Sequence, residues 1–234
     1  MKLTQKDILL INFLNKHRYC DAETAGMIYE TGRYVYERLA VLEKNKFVRR
    51  FNINISKNLL ALGSAGKNFS GNKKRVDGLR VGQGGLTHHE KISKVGIALL
   101  KMGIDYEIDL NLMHAGYKLI PDILLKDYAV GLEIELEKKS DKAYRKKLAN
   151  IQTDGLINKT VYIIKNPGMF RERMKKIKEL PFKAGRTIDD RIIRNTTLGK
   201  IGYFDIGEFY RDLEKSITRI MTETYPDEKE GYLY

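Results

Sequence analysis

The 234-residue chain contains one cysteine and no tryptophan. Cys20 alone excludes an internal disulfide framework and, without a second thiolate nearby, a cysteine-rich zinc site. No apolar run approaches the roughly 20 residues that span a bilayer. The stretch from Met1 to Asp7 is polar rather than signal-like. We therefore expect a cytoplasmic protein of one or two domains that does not enter a membrane.

Positive charge is in excess, with 43 Lys and Arg against 30 Asp and Glu and a formal net charge of +13. Residues 1–62 contribute +5, residues 63–86 contribute +4 and residues 87–234 contribute +4. Basic side chains that neutralise phosphates release condensed counterions, so this excess favours nucleic acid as a partner. A basic protein that is merely soluble is an equal alternative on charge alone.

Residues 1–62 have the pattern of a winged helix-turn-helix domain, an all-α head with a terminal hairpin. Thr4, with Asp7 three residues later, predicts the start of the first helix, and Asp21 predicts the cap of a short second helix. Two β-like runs at the end predict the hairpin. The first and third helices are expected over 3–16 and 33–45, and the hairpin strands over 47–55 and 59–62.

The third helix is the candidate for reading DNA. Val35, Leu39 and Leu42 recur at helical spacing and are expected to face inward. In a winged helix the third helix enters the major groove and the wing contacts the backbone. An alternative is a protein-docking role for its tyrosines. The candidate DNA-binding residues are Arg33, Tyr34, Tyr36 and Arg38 on the helix, Arg49, Arg50 and Lys57 in the hairpin, and Lys73, Lys74 and Arg75 in the segment that follows.

That segment, residues 63–86, is rich in glycine and lysine and poor in apolar side chains. Such a composition buries too little surface to offset the entropy of ordering, so we expect a flexible basic linker. Its glycines have neither the spacing of a phosphate-binding loop nor a buried strand before them, so no nucleotide site is predicted.

Residues 87–221 alternate between helical and strand-like periods in the order αβββαβ, which predicts a mixed sheet flanked by helices. Thr87 and Glu90 predict a capping box at the start of the first helix. Asp205 predicts the cap of the last helix, and residues 222–234 are expected to be a polar tail. The strands are expected over 105–110, 117–125, 128–137, 160–165 and 200–205, and the helices over 87–102, 141–156, 168–180 and 206–221.

The acidic residues of the second and third strands are the candidate chemistry. Glu133, Glu135 and Glu137 alternate with aliphatic residues, which places all three on one face of a strand. If Asp122 lies on the adjacent strand and faces the same way, three or four carboxylates converge. Like charges this close need a cation, and hard oxygen ligands suit Mg²⁺ or Mn²⁺. The alternative is an edge strand whose solvated glutamates pair with nearby lysines such as Lys139.

The αβββαβ order with Pro121-Asp122, a ten-residue gap and Glu133-Ile134-Glu135 resembles the PD-(D/E)xK nuclease superfamily. With the winged helix in front, residues 3–165 resemble the replication-relaxation family of plasmid and mobile-element proteins, which is similar to a plasmid mobilisation accessory protein. The resemblance implies a restriction-endonuclease-like domain, double-stranded DNA as a partner, and a relaxase or replication protein as a possible second partner.

One position departs from the nuclease pattern, because Glu135 stands where active members usually carry lysine. Lys118 or Lys146 could supply a displaced lysine, and Glu137-Lys138-Lys139 fits the motif four residues late. Three functions therefore stay open: a DNA-binding protein of plasmid or mobile-element replication or mobilisation that recognises an origin-like site, a Mg²⁺-dependent endonuclease or nickase using Asp122, Glu133 and Glu135, and a transcription regulator.

Overall fold

The computed structural model describes residues 1–30, 32–54, 57–71, 83–108, 120–137, 139–141, 143–144, 157–170, 172–173 and 201–222, without the side chains at 32–33, 52–54, 57 and 83–84. The chain divides into two compact units, residues 1–104 and 105–234. It is a mixed α/β protein with one three-stranded antiparallel sheet and one five-stranded mixed sheet, which confirms the predicted fold class at that level.

The first unit contains a helix, a short strand, two helices, a hairpin and two further helices. The sheet order is β1–β3–β2, and both pairings are antiparallel. The strand β1 replaces the break expected near His17, because three residues are too few to show a strand period. The elements are α1 (Gln5–His17), β1 (Tyr19–Asp21), α2 (Ala22–Tyr29), α3 (Gly32–Lys44), β2 (Val48–Asn54), β3 (Lys57–Leu62), α4 (Ser64–Ser70) and α5 (Gln83–Lys101).

The start of α1 confirms the predicted cap. The Thr4 hydroxyl accepts from the Asp7 N–H at 3.2 Å, and the Asp7 carboxylate accepts from the Thr4 N–H at 2.6 Å. Together these bonds form a capping box. The core of the unit lies between α1, α2, α3, the sheet and α5, and it includes the inward face predicted for α3: Val35, Leu39 and Leu42.

The boundary of the first unit differs from the predicted one, because α5 packs into its core. Ile97 of α5 is fully buried in the cluster formed by α1, α2 and α3, and Leu86 covers Tyr19 of β1. The helix begins at Gln83 rather than near Thr87, so the predicted capping box is wrong. Glu90 pairs instead with Lys94 one turn later.

The predicted linker is also shorter than expected, because residues 64–70 form α4 and residues 72–82 lie outside the described ranges. The backbone passes close to the hairpin here: a Cβ on Gly66 would lie 2.1 Å from the carbonyl oxygen of Phe47. Glycine is needed at this position because any side chain would collide with backbone that cannot move aside.

We expect Gly66→Ala to lower the free energy of unfolding by about 1–3 kcal/mol, since the added methyl overpacks this contact. Urea denaturation measures the change. Gly26→Ala is the control, because its Cβ would meet only Val35 Cγ2 at 3.9 Å within a helix. It should be neutral or stabilise the unit by up to about 1 kcal/mol. Equal effects of the two substitutions would contradict the close approach at Gly66.

The second unit is built on a sheet with the order β4–β5–β6–β7–β8. The first three strands form an antiparallel meander, and β6, β7 and β8 are parallel. A 3₁₀ turn at Lys126–Tyr128 joins β5 to β6. The elements are β4 (Tyr106–Ile108), β5 (Ile123–Leu125), β6 (Val130–Glu135), β7 (Lys159–Ile164), β8 (Ile201–Asp205), α6 (Ile206–Arg211) and α7 (Leu213–Thr222).

The last helix is two helices instead of one. Asp205 caps α6 as predicted, accepting from the N–H groups of Gly207 and Glu208. Asp212 then leaves the helical conformation with φ −145°, and its carboxylate accepts from the Lys215 N–H at 3.1 Å. Aspartate side chains commonly accept hydrogen bonds from backbone N–H groups at the start of a helix. The apolar period of the sequence nevertheless continues across the break. Residues 223–234 lie outside the described part.

Candidate functional site

The outward face of α3 carries large side chains that the core does not use. Tyr34 is 47 % exposed and Tyr36 is 60 % exposed, while Val35 between them is buried. Further along the same helix, Ala40 and Lys44 are exposed. Helical periodicity explains this division, because the residues between the inward positions must point away from the core. Both tyrosines therefore lie on the outward face of α3 that the sequence predicted.

Arg38, predicted to read bases, is held inside the first unit. Its Nε donates to Asp7 Oδ1 at 2.9 Å, its Nη2 pairs with Asp7 Oδ2, and Nη2 also donates to the Lys2 carbonyl at 3.2 Å. Asp7 is fully buried, and Tyr29 donates to it at 2.9 Å. Base reading by Arg38 would require breaking this pair and leaving a buried carboxylate behind. The geometry instead gives Arg38 the role of joining α3 to α1.

The pKa of Asp7 reflects these contacts. Burial by itself would raise the pKa of this carboxyl group, but hydrogen bonds from Arg38, Thr4 and Tyr29 lower it to about 2. The hydrogen-bond donors therefore outweigh desolvation, and Asp7 is charged in the folded protein at neutral pH.

The predicted phosphate contacts of the hairpin lie on the surface of β2. Arg50 is exposed and pairs with Glu43 at 3.1 Å, which ties the strand to the end of α3. The guanidinium of Arg49 lies 5.4 Å from the centre of the Phe51 ring. Their contact with phosphate stays a prediction. The predicted DNA-binding residues that lie outside the described side chains are Arg33, Lys57, Lys73, Lys74 and Arg75.

Glu133 and Glu135 lie on one face of β6, as their alternation with aliphatic residues predicted. Register pairs Ile123 of β5 with Leu132 of β6, and Asp122 is the residue that precedes β5. The Asp122 Oδ2 accepts from the Ile134 N–H at 2.7 Å, between the two glutamates. The strand β6 lies between β5 and β7, and Glu133 and Glu135 are 1 % and 4 % exposed. The alternative of a solvated edge strand is therefore wrong, although the pairing with Lys139 that it included is present at Glu135.

Glu135 is held at both of its oxygens. Its Oε1 pairs with Lys139 Nζ at 2.8 Å, and its Oε2 accepts from the Tyr144 hydroxyl at 2.6 Å. That hydroxyl in turn accepts from the Lys139 N–H at 3.3 Å. Burial raises the pKa of Tyr144 to about 12, and the hydrogen bond to Glu135 contributes to the rise. Tyr144 therefore stays protonated as a donor to the carboxylate.

Glu133 lies beside a tyrosine of the neighbouring strand. It pairs in register with Tyr162 of β7, and Tyr162 pairs with Tyr203 of β8. Burial raises the pKa of Tyr162 well above its usual range, and the carboxylates of Glu133 and Glu135 raise it further. Lys139 supplies positive charge beside Glu135.

The chemistry of the donors suits a hard cation, since all three are carboxylates. Three of their oxygens, however, already take the hydrogen bonds and the ion pair described above. Among the residues that the structure describes, no group of three or more His, Cys, Asp or Glu side chains is arranged to hold a metal ion. The assignment of Mg²⁺ or Mn²⁺ to Asp122, Glu133 and Glu135 therefore stays a prediction.

Of the lysines proposed from the sequence, the structure describes only Lys139. Lys118 and Lys146 lie outside the described residues, and Lys139 is the cation beside Glu135. The sequence indicated Lys139 in two ways, as part of the late motif and as a nearby lysine that could pair with the glutamates of the strand. Sequence reasoning gave no role to Tyr144, because nothing local distinguishes it from other tyrosines.

We expect Tyr144→Phe to lower the free energy of unfolding by about 1–3 kcal/mol, because Glu135 Oε2 loses its donor in a buried setting. Chemical denaturation monitored by circular dichroism measures this. Tyr128→Phe removes a hydroxyl from a ring that is 43 % exposed and should change stability by less than about 0.5 kcal/mol. A Tyr144→Phe protein as stable as the control would show that the bond contributes nothing.

Comparison of the chain with protein-family models, curated proteins and solved structures gives no match. The family resemblance therefore rests on the residues quoted for it. In the described part of the chain, no helix has the length and apolar character needed to cross a membrane.

Proposed function

We propose that the protein binds double-stranded DNA through α3 of its first unit. The observation that carries the proposal is the outward face of α3, with Tyr34 and Tyr36 exposed on a helix whose other face is in the core. The element order before and after it, with a β1–β3–β2 sheet, is typical of a winged helix-turn-helix domain. In such domains the equivalent helix lies in the major groove.

Charge supports duplex DNA over a protein partner. Residues 1–86 contribute +9 of the net +13, although that stretch is just over a third of the chain. Phosphate contacts by basic side chains supply most of the non-specific affinity of DNA-binding proteins. Lys44 of α3 and Arg50 of the hairpin are exposed and Arg49 is half-buried, and we propose that they contact the DNA backbone on either side of the groove.

The biological setting follows from the family resemblance. We propose an origin-like site on a plasmid or mobile element, where the second unit engages DNA or a protein such as a relaxase or replication initiator. In this proposal, a DNA-binding first unit is joined to a second unit whose carboxylates resemble those of a nuclease.

The test compares two exposed tyrosines. Duplex sites are first selected from a random pool with the wild-type protein, and affinity is then measured by fluorescence anisotropy. Tyr36→Ala should weaken binding by about tenfold or more, the effect of removing an aromatic contact at an interface centre. Tyr128→Ala, an exposed tyrosine of the second unit, is the matched control and should bind like wild type. Equal affinities of both variants would reject α3 as the contact surface.

A second candidate is a metal-dependent endonuclease, favoured by the buried Glu133 and Glu135 with Lys139 beside them. The sheet of the second unit has three antiparallel strands followed by a parallel fourth, an arrangement that supports the resemblance to a PD-(D/E)xK core. A bound Mg²⁺ would activate water and stabilise charge on the phosphate. Asp122 and Glu133 would hold the ion, and Lys139 would take the place of the missing motif lysine.

Cleavage is tested on supercoiled plasmid with Mg²⁺ or Mn²⁺. Under the endonuclease candidate, wild type nicks the plasmid and Glu133→Gln does not. Glu208→Gln, at an exposed position in the first turn of α6, is the matched control and should retain nicking. Absence of nicking by wild type in both metals would leave DNA binding as the function and reject the enzyme.

A further inference from the structure

The outward face of α3 groups large apolar side chains. Seven such side chains are exposed in the described part of the chain, and three of them, Tyr34, Tyr36 and Val41, lie on this one helix of 13 residues. Val41 is 38 % exposed, and Ala40 beside it is also exposed. Apolar side chains that occur singly on a surface need no explanation, whereas a group of them marks an interaction surface. The face therefore indicates a partner with an apolar feature of its own.

Tyr36 and Ala40 are the pair that can form one small apolar site. They are four residues apart in the helix, so they are neighbours on its surface, with about 5–6 Å between their Cβ atoms. Ala40 has no side-chain atom beyond Cβ, so a partner can come closer to the helix backbone there than at either exposed tyrosine. Tyr36, which is 60 % exposed, supplies an aromatic surface one turn earlier. A group about the size of a methyl can contact both side chains.

Charge on the same face separates base contact from backbone contact. Glu37 is exposed and lies between Tyr36 and Ala40 in the chain. A carboxylate at this position repels phosphates, so the middle of α3 gains little from the DNA backbone. Lys44, one turn after Ala40, is exposed and carries the opposite charge. In the proposed orientation, the middle of α3 therefore faces base edges, and the backbone contact is at its end.

The base edges offer one group that matches an apolar site. In the major groove, the edges of the base pairs present hydrogen-bond donors and acceptors, apart from the C5 methyl group of thymine. Alanine and aromatic side chains are common contacts of that methyl group. A polar edge placed against Ala40 would lose its hydrogen bonds to water without replacement. Thymine is therefore the base whose edge fits this part of α3.

We propose that Tyr36 and Ala40 recognise the methyl group of a thymine in the major groove and so determine the sequence specificity of α3. The inference rests on the proposed DNA-binding function and names the base that the helix reads. It predicts that the duplex sites selected by the wild-type protein share a T·A pair at a fixed position.

Replacement of thymine by deoxyuridine tests the methyl group alone, because uracil keeps every hydrogen-bonding group of thymine. Each thymine of a selected site is replaced in turn, and affinity is measured by fluorescence anisotropy. One replacement, or two at adjacent positions, should weaken binding about fourfold, the effect of no longer burying one methyl group. Replacement of the other thymines should leave the affinity unchanged.

Variants of α3 identify the side chain in contact. In Ala40→Gly, the thymine site and the deoxyuridine site should bind equally, because the methyl group has lost its partner on the protein. Glycine lowers helix stability, so folding is checked by thermal denaturation. Ala40→Ser retains Cβ, and its hydroxyl beside the methyl group should also reduce the preference for thymine. Lys44→Ala is the matched control, which should weaken binding to both sites equally and keep their fourfold ratio.

The outcomes separate this inference from the proposed function. A fourfold loss at one thymine that disappears in the Ala40 variants would establish the contact. Binding of selected duplexes with no sensitive thymine, or a thymine preference that persists in folded Ala40→Gly and Ala40→Ser proteins, would overturn only the inference. Absence of duplex binding by the wild-type protein would overturn both proposals and would favour a protein partner for the apolar face.

Discussion

Replacing Asp7 with asparagine is expected to lower the free energy of unfolding of the first unit by about 3–5 kcal/mol, the cost of removing one partner of a buried ion pair. Asp7 is fully buried, and its carboxylate receives bonds from Arg38, Tyr29 and the Thr4 N–H. Without its charge, the guanidinium of Arg38 loses its counterion. The melting temperature should fall by at least about 10 °C.

The pH dependence of the same variant gives an independent check. The pKa of Asp7 is lowered in the folded protein to about 2, against an ordinary value of 3.8. A carboxyl group whose folded pKa is depressed stabilises the fold above its unfolded pKa, and this contribution is lost as pH falls through the folded value. The difference in stability between wild type and Asp7→Asn should be constant above about pH 5 and shrink between about pH 4 and pH 2.

Asp21→Asn is the matched control. Asp21 caps α2 by accepting from the Thr24 N–H at 2.7 Å, and asparagine caps helices about as well as aspartate. This variant should unfold within about 0.5 kcal/mol of wild type. If Asp7→Asn behaves in the same way, the contacts of Asp7 with Arg38 and Tyr29 do not hold α3 against α1.

The second large expected effect is the loss of folding of the first unit when α5 is removed. A chain that ends at residue 71 is expected not to fold cooperatively, whereas a chain that ends at residue 104 should. Ile97 fills the core of the first unit, and Leu86 covers the sheet. Losing a large buried side chain costs about 2–5 kcal/mol, which is a large part of the roughly 5–15 kcal/mol that stabilises a domain.

Polar contacts of α5 also indicate that this helix is part of the first unit. Lys94 pairs with Glu23 of α2 at 2.8 Å, and Lys101 pairs with Glu30 at 2.9 Å. His89 Nε2 lies 3.0 Å from the His17 carbonyl oxygen, and its ring stacks on Tyr19 at 4.0 Å. Burial lowers the pKa of His89 to about 4, so this ring is neutral at physiological pH.

Urea denaturation of the two shortened chains measures the contribution of α5. The chain that ends at residue 104 should show one cooperative transition, and the chain that ends at residue 71 should show none. In the full protein, Ile97→Ala should cost about 2–5 kcal/mol. A chain ending at residue 71 with the same midpoint as the longer one would show that the first unit is complete without α5.

Local patterns predicted those parts of the fold that local chemistry determines. The cap at Thr4 and Asp7, the inward face of α3 and the alternation around Glu133 each follow from a spacing of two to four residues. A spacing of two to four residues does not indicate which other element packs against such a face. The helical period therefore predicted most of α5, but the helix was assigned to the wrong unit.

Short and long-range features escaped prediction for physical reasons. The strand β1 has three residues, and α4 has a composition that is ordinary for loops. Asp7 and Arg38 are 31 residues apart, so their pairing depends on how two helices pack. In the candidate carboxylate site, parity placed Glu133 and Glu135 on one face, but the burial of that face depends on β6 being an inner strand. Tyr144 lies beyond the end of β6, and no spacing pattern links it to Glu135.

The central claim is that α3 of the first unit lies against duplex DNA. A photoreactive benzophenone amino acid in place of Tyr36 tests it most directly, with the same replacement of Tyr128 as the reference. Irradiation with a selected duplex should crosslink the protein substituted at Tyr36 and not the one substituted at Tyr128. No crosslink from the Tyr36 position at saturating duplex, or equal crosslinking from both positions, would contradict the account.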